Sequence, residues 1–488
     1  MEKIDQQVLQ QFPDLDAFYQ QVKKITTAGY FTKGQTIFIN RTPGRLDLMG
    51  GNDDYTGGFV FEKTIREATF VAVQPRSDDT VHFYNPAVRA LGWADRITFS
   101  LQDLLHEGKL KPLEAVRDWI NSDEKRAWSA YILGNLFYLM QQFPQKITHG
   151  FSLYLASDVP LGKGVSSSAA LEVAPMKAIA AMYGIDVKGV ELAEWTQWVE
   201  IALTQSACGI MDQLAVVMGD EDYYVPMLCQ PCLPLPLVKF PENLYVWGID
   251  SGVRHAVSGI EYEAARAATF MGYRYLCDLE QLEPTLDESG ALPRWVEPKW
   301  NGYLANLSPS LFRAHYEAHL PQQQLGAEFS ARFPVHLDPF TPVRPQVLYP
   351  VRGATRYAVE ENWRVHCFYS LISKPAAQQD EITGQLLGEL MYLSHQGYSE
   401  CGLGAEETDK IVELVRAERN SGLLGAKVTG GGAGGTVAVL GQNTPQAGSA
   451  FQKLVDQYRQ WSGKEPYVFE GSSAGSDAFG VRKAVFDE

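Results

Sequence analysis

Cysteine is scarce in this sequence: there are six in 488 residues, at positions 208, 229, 232, 277, 367 and 401. So sparse a set excludes a disulfide-stapled scaffold and points to reduced thiols. Cys229-Gln-Pro-Cys232 has no second CxxC or histidine pair to accompany it, so a structural role is expected rather than zinc or redox chemistry. Long apolar runs are also missing. No stretch of ~18 apolar residues offers a membrane span, and the first residues have no apolar core of signal-peptide length. The expected location is the cytoplasm. Positive charge is in deficit: 42 Lys and Arg face 58 Asp and Glu, a net charge of −16. That balance argues against a nucleic-acid or anionic-membrane partner, while leaving room for a local basic pocket that takes a nucleotide. Internal repeats, low-complexity tracts and the Gly-Lys-Ser/Thr spacing of a Walker A loop are all absent.

What is present is the composition of a globular protein, 45% hydrophobic and 20% charged, over a length that calls for two or more domains. Helical spacing is expected within Asp5 to Gln21, Trp128 to Leu139, Val190 to Ala207, Ser258 to Leu279, Asp380 to His395, Glu406 to Ala417 and Ala447 to Trp461. Alternation predicts strands at Thr36 to Asn40, Phe70 to Gln74, Phe151 to Ala156 and Tyr245 to Asp250. Prolines at 231, 234, 236 and 241 mark a crossover, dividing the chain into 1–240 and 241–488. Residues 283–350, rich in Pro, Trp and Tyr, read as an irregular helical insertion on the second half.

Three glycine-rich stretches carry the chemistry. The first is Leu161-Gly-Lys-Gly-Val-Ser-Ser-Ser-Ala-Ala-Leu-Glu172, at a strand-to-helix junction. Its glycines and serines expose backbone N–H groups where a helix dipole adds partial positive charge, which makes an anion site suited to nucleotide phosphates. The helix beyond it is expected to end at Gly184 and to be kinked or loosened by Pro175. The second stretch is Arg41-Thr-Pro-Gly-Arg-Leu-Asp-Leu-Met-Gly-Gly-Asn-Asp-Asp-Tyr-Thr-Gly-Gly58. The third is Lys427-Val-Thr-Gly-Gly-Gly-Ala-Gly-Gly-Thr-Val-Ala-Val-Leu440. Gly430 to Gly435 imitates a dinucleotide fingerprint, but Thr436 to Leu440 is strand-like rather than helical, so NAD binding is not expected.

In this order and spacing the three stretches resemble the signature motifs of the GHMP small-molecule kinases. Within that superfamily the chain resembles the galactokinase branch, above all the kinase portion of L-arabinokinases, through Pro43 to Gly51, Val246 to His255, Glu389 to Tyr392, Cys401 to Gly404 and Phe469 to Ser473. Plant L-arabinokinases carry an additional N-terminal glycosyltransferase-like half; the resemblance covers the kinase portion, from about Ile37 to Gly480. It implies an α+β, two-domain fold with a ribosomal-S5-domain-2-like N-domain, a ferredoxin-like C-domain and the active site in the cleft between them.

The resemblance also implies roles. Gly162, Gly164, Ser166, Ser167, Ser168 and Ala169 would bind the phosphates of ATP. Ser168 and Glu200, on the second amphipathic helix, would hold Mg²⁺, which favours oxygen ligands and usually takes one or two carboxylates. Asp212, expected in a turn opened by Gly209 in Cys208-Gly-Ile-Met-Asp-Gln213, would be the base for a sugar C1 hydroxyl, with Arg45 paired to it. A structural ion pair is the alternative for Arg45 and Asp212, and a solvated helix face the alternative for Glu200. Asp54, Gly51, Asn52, Gly209, Tyr262 and Gly432 would contact the sugar, although a core aromatic is nearly as good an account of Tyr262. His255 and His395 read as structural.

The expected activity is an ATP-dependent sugar 1-kinase acting on a monosaccharide, L-arabinose first, with D-galactose and galacturonate as alternatives. In galactokinases the second motif places a glutamate and a histidine on the C6 hydroxyl. Gly51 offers no side chain there, whereas Asn52 leaves a polar group that could still serve one. A non-catalytic sugar and ATP sensor is the rival of another class. Sensors of that type lack a Ser-Ala pair in the phosphate loop, and Ser168-Ala169 is intact.

Overall fold

The computed structural model describes residues 12–253, 259–375, 378 and 380–486. The first helix is Pro13–Thr27, opened by proline at its start and by Asp14 and Asp16 in its first turn, with Lys24 in its last. This charge order matches the helix dipole. The helix runs beyond the expected end at Gln21, and the part expected from Asp5 to Gln11 lies outside the described residues.

A nine-stranded sheet dominates the N-terminal half. Its backbone is the long strand Phe59–Pro75, which pairs antiparallel with Ile37–Met49. The second half of Phe59–Pro75 also pairs with Phe151–Ser157, and its first half with Tyr223–Leu228. Ile37–Met49 is much longer than the expected Thr36 to Asn40. It continues through Pro43-Gly44 with register slips between Pro43 and Arg45 and between Asp47 and Met49. Such bulges re-aim side chains without ending the pairing. Here they serve Arg45 and Asp47.

Three helices cover one face of this sheet: Ala130–Gln142, Ser167–Met182 and Gly189–Thr204. Ser167–Met182 passes through Pro175 as a single 16-residue helix. The proline-rich stretch after Tyr223–Leu228 forms two short strands on that strand's outer edge, Leu233–Pro234 and Val238–Lys239.

The second sheet is antiparallel, in the order Leu423–Val428, Thr436–Gln442, Leu244–Asp250, Val468–Phe469. Apolar side chains of helices Glu406–Ala417 and Pro445–Ser462 close its core around Trp247 and Ile249. The chain then returns, and Arg482–Ala484 pairs with Ile37–Ile39 in the first sheet.

Between these strands lies a helical layer. Ile260–Leu279 packs with Val351–Ile372, and both share a core with the 283–350 segment. That segment holds the hairpin Thr285–Asp287 and Arg294–Val296 and the short helices Pro309–His315 and Gly326–Arg332. The 22-residue helix Val351–Ile372 has no counterpart in the sequence reading. Its buried face includes Thr355, Glu361 and Asn362 among the apolar residues, so the apolar period that identifies a helix is broken.

Candidate active site

The Gly/Ser-rich loop expected to bind phosphates lies between strand Phe151–Ser157 and helix Ser167–Met182. Ser166 stands immediately before the helix in a left-handed conformation, φ 59°, and its buried hydroxyl has no hydrogen-bond partner among the described residues. Buried hydroxyls are nearly always satisfied. An orphan here, beside the free N–H groups of a helix start, fits a loop shaped around an anionic guest. Ser167 and Ser168 form the first helical residues and Ala169 is fully buried beneath them.

The other two glycine stretches close on this loop. The Arg45 backbone N–H donates to Val165 O at 3.1 Å, and its Nη1 donates to Gly164 O at 2.7 Å. Thr436 Oγ1, at the end of the third stretch, donates to Lys163 O at 2.8 Å. Three segments far apart in the chain therefore meet at one place.

Arg45 is 2% exposed, and its Nε and Nη2 both reach Asp212 Oδ1, at 3.0 and 2.6 Å. Nε also lies 3.2 Å from Glu62. Asp212 is 19% exposed and sits in the first turn of helix Met211–Met218. This corrects the expected turn: the preceding helix ends at Thr204, left-handed Gln205 breaks it, and the new helix begins at Met211. A carboxylate in a first helical turn is favoured by the dipole. Glu62 is fully buried, and burial followed by the neighbouring Asp47 holds its carboxyl well above the usual range.

Glu200 is buried rather than solvated. Gln213 Nε2 donates to its Oε2 at 2.6 Å, and the Ser168 hydroxyl lies within hydrogen-bonding reach of the same carboxylate. Burial, and then Asp212, push Glu200 up to about 7. Glu172, one turn beyond Ser168, is also buried, with Oε1 unpartnered among the described residues. Among the described residues no three His, Cys, Asp or Glu side chains gather into a metal cluster. The oxygen groups present are the carboxylates of Glu200 and Glu172, both reached by Gln213 Nε2, and the Ser168 hydroxyl, a set that would suit Mg²⁺ completed by phosphate oxygens and water.

The sugar-motif residues form the 3-10 turn Gly51–Thr56, in which Asn52, Asp53 and Asp54 are all buried. Asp54 accepts from Tyr55 N at 2.8 Å and more weakly from Met211 N at 3.4 Å. Its carboxylate lies so close to Gly209 that a Cβ there would stand 1.7 Å from Oδ2. Burial, then Asp212, push Asp54 up to about 7 against the opposing pull of Arg266. Asn52 Nδ2 donates to Gly431 O at 3.3 Å. Gly51, at φ +39°, leaves its Cβ position 1.6 Å from the Tyr398 hydroxyl, so a side chain at 51 would force Tyr398 or the turn to shift. Tyr398 donates to Gly430 O at 2.5 Å, and Gly432 packs beside the same ring. Tyr262 is buried, and its hydroxyl donates to Ala207 O at 3.2 Å. His395, read as structural, accepts from Val428 N through Nδ1 and lies 2.9 Å from Asp409 through Nε2. His255 lies outside the described residues.

Several site residues were not singled out from the sequence. Lys427 and Asp47 form a sealed ion pair at 2.5 Å, and Asp47 Oδ1 accepts from Gly51 N at 3.2 Å. Arg266 ties the carbonyls of Ala207 and Cys208 to Asp338, which it meets with two hydrogen bonds at 2.8 and 3.0 Å. The 283–350 segment thereby braces the loop that leads to Asp212. Asp47, Lys427 and Glu172 stand inside the quoted motifs, but a motif does not say which of its side chains face one another. For Arg266 and Asp338, 72 residues apart, the sequence carries no signal.

Residues 130–220 match the GHMP kinases N terminal domain, residues 375–460 the GHMP kinases C terminal domain, and residues 30–75 the galactokinase galactose-binding signature. The chain is 34% identical to L-arabinokinase of Arabidopsis thaliana over 93% of its own length and 47% of that protein's, so it spans about half of that relative. It is 30% identical to a galactokinase of Chloroflexus aurantiacus, over 82% of this chain and 83% of that one. In fold it superposes on Lactococcus lactis galactokinase complexed with galactose with a TM-score of 0.72, at 20% identity, covering 94% of this chain and all of that one. A mevalonate kinase follows at 0.53 and 13% identity, covering 90% and 99%. Three signature motifs converging on one site, on the two-domain α/β architecture of these kinases, place the chain in the GHMP kinase family, in its galactokinase group.

Proposed function

We propose that the protein is an ATP- and Mg²⁺-dependent sugar 1-kinase that converts L-arabinose to L-arabinose 1-phosphate. The observation that carries this reading is the position of Asp212 between two subsites: the phosphate loop, to which Arg45 binds it, and the Asp54 turn, which abuts Gly209. A γ-phosphoryl group held at the loop and a hydroxyl held near Asp54 would meet at this carboxylate.

Phosphoryl transfer needs positioning and charge neutralisation more than covalent chemistry. The loop N–H groups and the start of helix Ser167–Met182 hold phosphate oxygens. Ser168 and Glu200 would hold Mg²⁺, which would neutralise charge on the phosphates. Asp212 orients the sugar C1 hydroxyl and takes its proton late, while Arg45 fixes the carboxylate and steadies charge at the transferring group.

The sugar assignment is supported by the 34% identity with L-arabinokinase and by the absence of a side chain at Gly51. L-arabinopyranose is D-galactose without its C6 hydroxymethyl group. A buried hydroxyl without a partner costs about 1–3 kcal/mol, roughly tenfold or more in discrimination. The second reading, galactose, is favoured by the galactokinase relatives and by the polar Asn52. Galacturonate stands behind both.

Comparing kcat/KM for L-arabinose, D-galactose and D-galacturonate in an ADP-release assay tests the assignment. Preference for arabinose is expected, and a galactose value equal to or above it refutes the assignment. ADP release with none of the three would remove the sugar-kinase reading itself.

A further inference from the structure

Within 161–168, Lys163 is the only charged side chain. Its Nζ lies 2.6 Å from Asp250 Oδ2, so the phosphate loop is tied to the last residue of strand Leu244–Asp250 in the second sheet. The two partners are unequal. Asp250 is 6% exposed and also accepts from Gly252 N at 2.9 Å, which fixes it in place. Lys163 is 24% exposed. The other two cations at the convergence of the glycine motifs are already committed: Arg45 to Asp212, Glu62 and Gly164 O, and Lys427 to Asp47, both nearly sealed from solvent. Asp54, Glu62, Glu172, Glu200 and Asp212 are gathered in the same region. A triphosphate entering this acidic setting needs a cation that can move to it. Among the described residues Lys163 is the one with both the exposure and the place in the loop.

We propose that Lys163 is a nucleotide-phosphate ligand, held in reserve by Asp250 and exchanged from that carboxylate to a phosphate oxygen when nucleotide binds. The proposal rests on the nucleotide reading of the loop. A lysine ammonium binds phosphate as a point charge and so tolerates such an exchange, with no fixed fork to realign. Because the lysine's first partner belongs to the second sheet, occupancy of the loop is coupled to the contact between the two halves of the molecule.

The test is nucleotide affinity, measured by calorimetry with ADP and with a non-hydrolysable ATP analogue and no sugar, for wild type, Lys163→Met, Lys163→Arg and Asp250→Asn. Lys163→Met should weaken binding about ten- to hundredfold, as expected for one lost charge-assisted contact. Lys163→Arg should recover most of that loss. Asp250→Asn, which frees the lysine, should bind as tightly as wild type or tighter. A purely structural tie predicts otherwise, since its two partners would weaken binding in parallel. That parallel loss, or a Lys163→Met affinity within twofold of wild type, overturns the proposal. Failure of the wild-type protein to bind nucleotide would instead remove the reading on which it rests.

Discussion

Arg45 delivers Nε and Nη2 to a single oxygen of Asp212, Oδ1, at 3.0 and 2.6 Å, and Oδ2 accepts no hydrogen bond among the described residues. The carboxylate is thus anchored through one oxygen and presents the other. An ion pair serving structure alone has every reason to use both oxygens, because the fork of a guanidinium matches a carboxylate bidentately. An open Oδ2 is what the proposed base role of Asp212 requires.

Asp212→Asn should therefore lower kcat by at least ~10²-fold while nucleotide affinity stays within a few-fold, since the amide keeps the shape and cannot take the proton. Steady-state kinetics alongside nucleotide calorimetry checks both halves. Retention of more than about a tenth of wild-type kcat would show that Asp212 is not the base.

Glu200→Ala removes the carboxylate that faces Ser168. The Mg²⁺ concentration giving half-maximal rate should rise, because the proposed metal site would lose one of its protein carboxylates. A magnesium titration superimposable on wild type would return Glu200 to a structural role beside Gln213.

Gly51→Ala inserts a methyl group 1.6 Å from the Tyr398 hydroxyl, on a residue whose φ is +39°. Overpacking of this kind destabilises by about 1–3 kcal/mol. The displaced turn carries Asn52 and Asp54, so sugar KM should rise together with a fall in melting temperature. Adding Tyr398→Phe, which removes the clashing oxygen, should restore part of both. The ring carbon Cζ would still stand 2.7 Å from the methyl, so recovery is partial; none at all would mean that the hydroxyl is not the main obstacle.

Asp54, with its carboxyl pushed up to about 7, is protonated in a growing fraction of molecules below neutrality and loses acceptor capacity for a sugar hydroxyl. Sugar affinity, measured without nucleotide or Mg²⁺, should rise as pH increases through about 7 and level off above it. Asp54→Asn should bind more weakly and flatten that dependence. An unchanged slope in the variant would assign the pH dependence to another group.

Lys63 is buried in the long strand Phe59–Pro75, donates to Val246 O at 3.2 Å, and is pushed down to about 7 by burial, with Arg66 adding to the shift. Its folded-state value lies below its unfolded one. The unfolded chain therefore holds the extra proton between about 7 and 10.5, and stability attributable to this residue rises with pH across that window. Below about 7 the whole penalty is present. Lys63→Met should raise the melting temperature most at and below pH 7, with the gain shrinking towards pH 10. A gain independent of pH would show that the lysine stays charged when folded.

Much of this protein was legible from its residues. The strand-to-helix junction of the phosphate loop, helix Glu406–Ala417 and strand Leu244–Asp250 follow from periodicity and turn chemistry, because each buries a simple apolar face or ends at a breaker. The family follows from three motifs in order. Helix Val351–Ile372 was not legible, because Glu361 and Asn362 on its buried side are satisfied by partners distant in the chain, and Thr355 by the carbonyl of Val351 in its own helix. Asp212 was expected in a turn and lies in a helix, because the break at Gln205 is a left-handed conformation that sequence assigns more readily to glycine or asparagine.

The sequence by itself determined which chemical groups are available and which local conformations they favour: the glycines and serines of the loop, the acids near 54 and 212, and the arginine at 45. Only the tertiary structure decided which of these groups confront one another. Asp47 meets Lys427 across 380 residues, Arg45 meets Asp212 across 167, and Lys163 meets Asp250 from the opposite half of the molecule. Periodicity and motif spacing report interactions within a few residues along the chain. The burial, charge pairing and orphaned hydroxyl that make a site arise from long-range packing, when two sheets and a helical layer close over the same few side chains.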